Sequence, residues 1–390
     1  METWQIIPLG ELCQIELGGT PARKSPKLWD PEKNTDNVWL SIADLPQTLN
    51  AHVTDSKEYI SDEASRKARL VRTGTLLVSF KLTLGRLAYA GRDLYTNEAI
   101  AALIIPDERL LTKTYLYWYL TFFDWQKAAE GDHKIKGKTL NKAKLKVLPV
   151  LVPPLREQER IVAILDEAFA AIATATANAE KNLANAREVF ENYLKGIDGE
   201  MVPLGDLVNI RTGKLDANAA VEGGEYPFFT CAREVYAIDN YAFDCEAILL
   251  AGNNAVGDFN VKHYQGRFNA YQRTYVITVN ERNRALYRFL YFQMMKSLKE
   301  FKSQSVGAGT KFLKLGMIKG MRIALPARKE QEKIVAKVDS ILAETERIES
   351  INQKKISAHT ELKQSILHKA FTGELTADAK AIDRKLSGVV

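Results

Sequence analysis

The chain is written twice, and this constrains its fold more than any other property of its 390 residues. Pro8-Leu9-Gly10-Glu11-Leu12 returns as Pro203-Leu204-Gly205-Asp206-Leu207, at an offset of 195. Leu76-Leu77-Val78 returns as Ile248-Leu249-Leu250, Gly85 as Gly257, Asn97 as Asn269 and Ile104-Ile105 as Val276-Ile277, all at an offset of 172. Lys138-Thr139-Leu140 then matches Lys311-Phe312-Leu313, and Glu157-Gln158-Glu159-Arg160-Ile161-Val162-Ala163 matches Glu330-Gln331-Glu332-Lys333-Ile334-Val335-Ala336, at an offset of 173. An ordered series of this kind marks an internal repeat. The fall from 195 to 172 puts about 23 extra residues in the first copy, between Leu12 and Thr75.

Each copy opens with short apolar runs, rich in β-branched and aromatic residues and broken by Gly, Pro and Asn, which predict strands and turns. A short aromatic helix is expected around Tyr115–Lys127 and again around Leu286–Lys299. A connector with Pro153-Pro154 or Pro326 leads into a helix start, where proline is tolerated and Glu157, Glu159, Glu330 and Glu332 suit the dipole. Val162, Leu165, Phe169, Ile172, Thr176, Ala179, Leu183, Ala186, Phe190 and Tyr193 then recur at alternating spacings of three and four. In the second copy the stripe is Val335, Val338, Leu342, Thr345, Ile348, Asn352, Lys355, His359, Leu362 and Ile366.

Such spacing predicts coiled-coil helices of roughly 60 Å, whose narrow seams suit antiparallel pairing with each other. Asn352, Lys355 and His359 then face Thr176 and Ala179. The fold class expected is α+β: two duplicated mixed domains joined by two long antiparallel helices. The segments are a first domain 1–155, a central helix 156–199, a second domain 200–327, a C-terminal helix 328–375 and a tail 376–390.

The 54 Lys+Arg against 48 Asp+Glu leave a charge of +6, compatible with a polyanionic partner but no proof of one. Cys13, Cys231 and Cys245 make neither a disulfide framework nor a paired zinc spacing. The start METWQIIPLGELCQ lacks the basic and apolar regions of a signal peptide. No stretch reads as the roughly 18 apolar residues of a membrane span. A cytoplasmic protein without membrane contact is expected.

The plan resembles the specificity (S) subunit of type I restriction-modification enzymes over nearly the whole chain. The first copy carries the likeness in Gly18-Gly19-Thr20-Pro21, Trp39-Leu40-Ser41-Ile42, Gly74–Lys81, Leu84-Gly85-Arg86 and Thr96–Ile100. The second carries it in Tyr226–Thr230, Ala247–Leu250 and Gln272-Arg273 before Tyr275-Val276-Ile277. The junction Pro153–Val162 and the closing Leu362–Leu367 and Ala370–Gly373 complete it, whereas Ala327-Arg328 departs from Pro154-Leu155. The resemblance implies two target recognition domains, each reading one half of a split duplex DNA sequence, and helices that separate the halves and dock two methyltransferase (M) subunits. It also implies that S-adenosylmethionine, ATP and Mg belong to partner subunits, with cleavage in restriction/translocase (R) subunits.

The residues themselves offer no catalytic set. Pro153-Pro154 lacks the Asn/Asp and aromatic flanks of an adenine methyltransferase motif, and no phosphate-binding GxxxxGK[ST] loop occurs. Glu361-Leu362-Lys363 has a nuclease-like spacing but lies on the long helix. Candidate DNA contacts are polar residues on Gly-rich loops: Thr20, Lys24, Lys81, Arg86 and Asn97, then Arg211, Thr212, Lys214, Thr230, Arg233, Asn253, Asn254, Asn269, Gln272 and Arg273. Glycine lets backbone approach phosphate, while Arg, Gln and Asn match base edges. The run Lys134–Lys146, with Lys136 and Lys138, has six lysines and no acid, which suits phosphate contact. Two other readings stay open at this point: a coiled-coil scaffold with duplicated protein- or RNA-binding domains, and a self-sufficient methyltransferase.

Overall fold

The apolar runs form strands in both copies, and the two sets pair in the same order. The computed structural model describes residues 4–130, 133–134, 137–138, 140–280, 284–307 and 309–376. The chain divides into two compact α+β units, Met1–Thr176 with Ser357–Val390, and Ala177–Ile356. The division cuts each long helix midway, because each domain core packs against the helix halves nearest it in its own unit.

In the first unit a five-stranded sheet runs Gln14–Leu17, Ile100–Ile104, Leu76–Ser79, Leu87–Ala90, His52–Val53, beside a three-stranded sheet of Glu58–Tyr59, Val38–Leu40 and Tyr95–Thr96. In the second unit one six-stranded sheet runs Val208–Thr212, Thr274–Val279, Phe243–Ala251, Val261–Ala270, Tyr226–Phe229, Tyr236–Ile238. The long strand Val261–Ala270 takes the places of both Leu87–Ala90 and Tyr95–Thr96, and so fuses what are two sheets in the first unit. The parallel pair Leu40 and Thr96 corresponds to the parallel pair Phe229 and Ala270, and Leu103 to Ile277, so the offset here is 174 rather than the 172 of the sequence match, and Asn97 is the counterpart of Tyr271, not of Asn269. Since Leu40 matches Phe229, the extra residues of the first copy are split to either side of the strand Val38–Leu40 and include the short helix Asp62–Ser65.

Each domain is closed by a two-stranded ladder, Gln5–Pro8 with Pro149–Val152 and Glu200–Pro203 with Arg322–Leu325. One fully buried glutamine then braces the long helix to it. Gln158 Nε2 donates to the carbonyls of Leu110 (2.8 Å) and Pro153 (2.9 Å), and its Oε1 accepts from Thr112 N. Gln331 does the same with Arg284 (2.8 Å), Pro326 (2.9 Å) and Leu286 N. A side chain with both donors and an acceptor is required at this place. The cores are aromatic, with Tyr115, Trp118 and Phe169 in the first unit and Phe289, Phe292 and Phe301 in the second. Each such buried side chain contributes about 1.5–3 kcal/mol.

The aromatic helix of the first copy is shorter than its sequence predicts, at Lys113–Phe122. Asp124 ends it by accepting from Gln126 N and Lys127 N, which caps a new turn at Trp125–Ala128. The second copy has no such cap, and its helix runs on through Tyr287–Gln304.

The long helices span Leu155–Lys195 and Arg328–Thr372. In the first unit Leu165, Phe169 and Ile172 are buried and Ile366 half-buried, and Thr176 Oγ1 meets His359 Nδ1 at 2.9 Å. Further along, Glu157 accepts from the hydroxyl of Thr376. In the second unit Ala179, Ala186 and Val338 are buried, and Leu183, Phe190, Leu342 and Ile348 half-buried. There Thr345 Oγ1 donates to Ala186 O at 3.5 Å, and Arg187 Nε to Glu349 Oε1 at 2.5 Å. In the first unit the partners of Thr176, Phe169 and Glu157 are His359, Lys363 and Thr376, rising in number as the first helix is followed back, so these two halves run antiparallel.

The second stripe departs from its sequence reading at Lys355 and Leu362, which are exposed, Leu362 by 46%. Beyond Asn352 the covered positions are Ile356, His359, Lys363, Ile366, Leu367, Ala370 and Phe371, and the Lys363 Nζ lies 6.0 Å from the Phe169 ring. A straight helix drifts about 20° per heptad from a strict seven-residue repeat. A frame set at Val338 therefore points off its partner three heptads later, and the seam steps by one residue. The membrane expectation also needs correction. The helix Leu155–Lys195 contains an 18-residue window long and apolar enough to cross a membrane by length and composition. Alanine supplies much of that character, while Leu165 and Phe169 are packed in the core and Asp166 accepts from Trp118 Nε1 at 2.8 Å.

Candidate nucleic-acid interface

Two loops that lie far apart in sequence meet in each unit, and they meet at equivalent places. In the first unit, Gly18 touches the backbone of Thr96 so closely that an added Cβ would collide with its carbonyl oxygen. Gly19 N donates to that oxygen at 2.8 Å, and Trp39 Nε1 donates to Gly19 O at 2.9 Å. The Thr20 hydroxyl then donates to Glu98, a bond that holds the Glu98 carboxyl below its usual range. Lys24 stands exposed on the same loop. Its neighbour Arg23 lies 4.1 Å above the Trp29 ring and 4.8 Å from that of Trp39, and pairs with Glu58.

In the second unit the counterpart is Gly213, whose added Cβ would strike Ala270 O. Gln272 N donates to Leu215 O at 2.8 Å, and the Gln272 side chain donates to Asp216, so the RTGK and NAYQR loops form one surface. Arg211, Thr212, Lys214, Gln272 and Arg273 are all exposed there. The Arg273 guanidinium lies 5.2 Å from the Phe312 ring, and its carbonyl accepts from Gly252 N at 2.9 Å and Cys231 Sγ at 3.4 Å. Next to it, Asn253 and Asn254 form a ladder with Phe312 and Lys311. Asn254 Oδ1 accepts from Val256 N and Asp258 N, and Asp258 accepts from Arg233 at 2.6 Å.

Several residues expected to face DNA instead hold the frame. Asn269 is buried, donates to Asn240 Oδ1 at 2.8 Å and accepts from Ala270 N. Thr230 is buried and accepts from Ala232 N at 3.2 Å. Asn97 accepts from Ala99 N, and the half-buried Arg86 donates to the carbonyls of Ile42 and Leu45. Asn269 is turned inward by its strand, while Thr230, Asn97 and Arg86 stand just outside strand ends, where their polar groups bond nearby backbone. Lys81 is half-buried, its Nζ 5.3 Å from the Phe80 ring. The basic run joins that loop through Leu140 N, which donates to Phe80 O at 3.0 Å. Lys138 lies in a short ladder with His133, and Lys136 lies outside the described residues.

Sequence reasoning passed over Arg23 and Lys262. Arg23 stood within GGTPARK, and the two tryptophans gave a usable signal. Lys262 had none: its ammonium supports the 230–233 loop by donating to Ala232 O and Asn260 Oδ1, both at 2.6 Å, and burial lowers its pKa. Glu361 and Leu362 lie on an exposed helix face. Burial pushes the Cys13 thiol up to about 12. Among the described residues no group of three or more His, Cys, Asp or Glu is placed to hold a metal ion.

One frame built twice, presenting two different pairs of loops, defines a duplicated recognition protein. The chain matches the type I restriction modification DNA specificity domain over residues 1–183 and 197–357, and it belongs to that family. It is 41% identical over 182 residues to the EcoDI specificity subunit of Escherichia coli, which is 47% of this chain and 40% of that one. The MjaIX specificity subunit of Methanocaldococcus jannaschii is 21% identical across 96% of this chain and 94% of its own. The HsdS subunit from Thermoanaerobacter tengcongensis shares the fold at a TM-score of 0.56 and 17% identity, over 95% of this chain and 97% of that one. A chain from a structure on complex assembly and conformational transition of the type I restriction-modification system gives 0.73 at 17% identity, over 95% and 98%.

Proposed function

We propose that this specificity subunit reads a split, asymmetric duplex DNA target in the cytoplasm, one half through each domain. The observation that carries the reading is the equivalence of the Gly18–Thr96 and Gly213–Ala270 junctions, which hold loops of unlike sequence: GGTPARK with Thr96–Glu98, and RTGK with NAYQR. A shared frame with different exposed side chains suits two half-sites that differ. The long helices act as an antiparallel coiled coil that sets the spacing between half-sites and docks two methyltransferase subunits, with restriction/translocase subunits joining through them. The chain is non-catalytic in this reading, and S-adenosylmethionine, ATP and Mg act on the partners.

The test is to map methylated adenines in DNA from cells carrying this chain with its methyltransferase partner. Two different short sequences about one helical turn apart are expected. A continuous or palindromic motif would overturn the split reading, and methylation without sequence preference would overturn the specificity role itself.

A further inference from the structure

Arg23 is an exposed residue held from several sides. The loop that carries it is pinned by two tryptophans: Trp39 Nε1 donates to Gly19 O at 2.9 Å, and Trp29 Nε1 to Ala22 O at 3.3 Å. The two rings meet edge to face with centroids 5.1 Å apart. The guanidinium lies over both, 4.1 Å from the Trp29 centroid and 4.8 Å from that of Trp39. Trp39 in turn is buried with Ile60 and Ala64 in a small core of their own. Loop and side chain are thus fixed by the same pair of rings.

Glu58 completes the grip. Arg23 Nη1 and Nη2 each donate to one oxygen of its carboxylate, which occupies one edge of the planar guanidinium. The neighbouring edge, made of Nε–H and the adjoining N–H of one η nitrogen, keeps two parallel donors. The side chain is 52% exposed, so a ligand has access to it. Two parallel donors select among the bases, because in the major groove guanine alone presents two acceptors side by side, N7 and O6. A phosphate also accepts two bonds, but Glu58 cancels the charge of Arg23 and would repel a phosphate set beside it. What the pair keeps is direction, and direction reads a base. Lys24, exposed on the same loop, is the residue suited to the backbone.

We infer that Arg23 reads a guanine of the first half-site through its free Nε edge, with Glu58, Trp29 and Trp39 as positioning residues. This rests on the reading above, in which the GGTPARK loop faces duplex DNA. A guanidinium already stacked and paired loses little freedom on meeting a base, so its contact discriminates rather than merely attracts.

The test uses the full chain assembled with its methyltransferase subunits, titrated onto its mapped target and onto duplexes with each base pair changed in turn. Arg23→Ala should remove about 5- to 150-fold of discrimination at one G·C pair and leave every other position, the second half-site included, as in the parent. Glu58→Gln should lower discrimination at that same pair while raising affinity for all duplexes, a split that a merely structural role would not give. Arg23→Met keeps a long side chain over the tryptophans and makes the same test should Arg23→Ala lower the thermal midpoint. An even loss of affinity on all duplexes, at an unchanged midpoint, would make Arg23 a phosphate anchor and overturn the inference. Unchanged discrimination throughout, or a target with no G·C pair, would overturn it as well. A parent complex without sequence preference would instead strike the reading of the site, and this inference with it.

Discussion

Gln272 gives its side-chain amide to Asp216, across the two loops that the second unit brings together. A base edge that takes this amide must displace a carboxylate, whereas the Arg273 guanidinium beside it lies 5.2 Å from the Phe312 ring. Gln272→Ala or Arg273→Ala should weaken discrimination at the second half-site by about 1–3 kcal/mol per lost base contact. Asp216→Ala should instead tighten binding to every duplex, by removing a negative charge and freeing Gln272. Titrations on cognate DNA and single-base variants separate these outcomes. Were Arg273→Ala to lose affinity evenly across all DNAs, Arg273 would be a phosphate anchor.

Buried Asn269, at the end of the strand Val261–Ala270, and exposed Lys214, on the neighbouring loop, should fail in opposite ways. Asn269→Ala removes bonds to Asn240 and Ala270 and should cost about 1–3 kcal/mol of stability in urea unfolding. Lys214→Ala should leave stability alone, lower affinity for all sequences and reduce the salt slope of binding by about one. A loss of stability in Lys214→Ala would show that it supports the frame.

The bracing glutamines make a matched pair of tests. Gln158→Leu strands Thr112 N and the carbonyls of Leu110 and Pro153, and Gln331→Leu strands their counterparts. Each should destabilise its own unit by about 2–4 kcal/mol, since stranded buried polar groups cost more than the bond itself. The braces share no partner, so the double variant should lose close to the sum. Hydrogen exchange on each unit reads the two effects separately.

Glu98 makes stability depend on acid. Its folded pKa is lowered, chiefly by the Thr20 hydroxyl, from an ordinary value of 4.5. The stabilisation is therefore fully present above that ordinary value and is lost as pH falls through the lowered folded one. Thr20→Val should unfold more easily than the parent at neutral pH, and the gap should close as the solution is acidified below the carboxylate range. Parallel thermal melts across that range check it; a gap independent of pH would remove Glu98 from the account.

The repeat, the presence of strands, the helix starts near Leu155 and Arg328 and the apolar stripe from Leu165 to Phe190 were legible because each is a local or periodic property of the chain. Periodicity needs no knowledge of distant neighbours. The same rule misled at Leu362, where a heptad frame was carried further than a helix of 3.6 residues per turn allows. The repeat offsets placed the extra residues of the first copy between Leu12 and Thr75, where they lie, and the pairing of Leu40 with Thr96 and of Phe229 with Ala270 adds that they are split in two.

Sequence alone determined that two like domains and two long helices exist, and which loops differ between the copies. Tertiary structure decided what each polar side chain does. Asn269 and Gln272 lie three residues apart on one stretch, yet one is buried on Asn240 and the other exposed on Asp216, partners 29 and 56 residues away. Burial of Thr230 and the desolvated Lys262 arise in the same way. A hydrogen bond is fixed by geometry over about 3 Å, and only the folded chain brings residues so distant in sequence within that range.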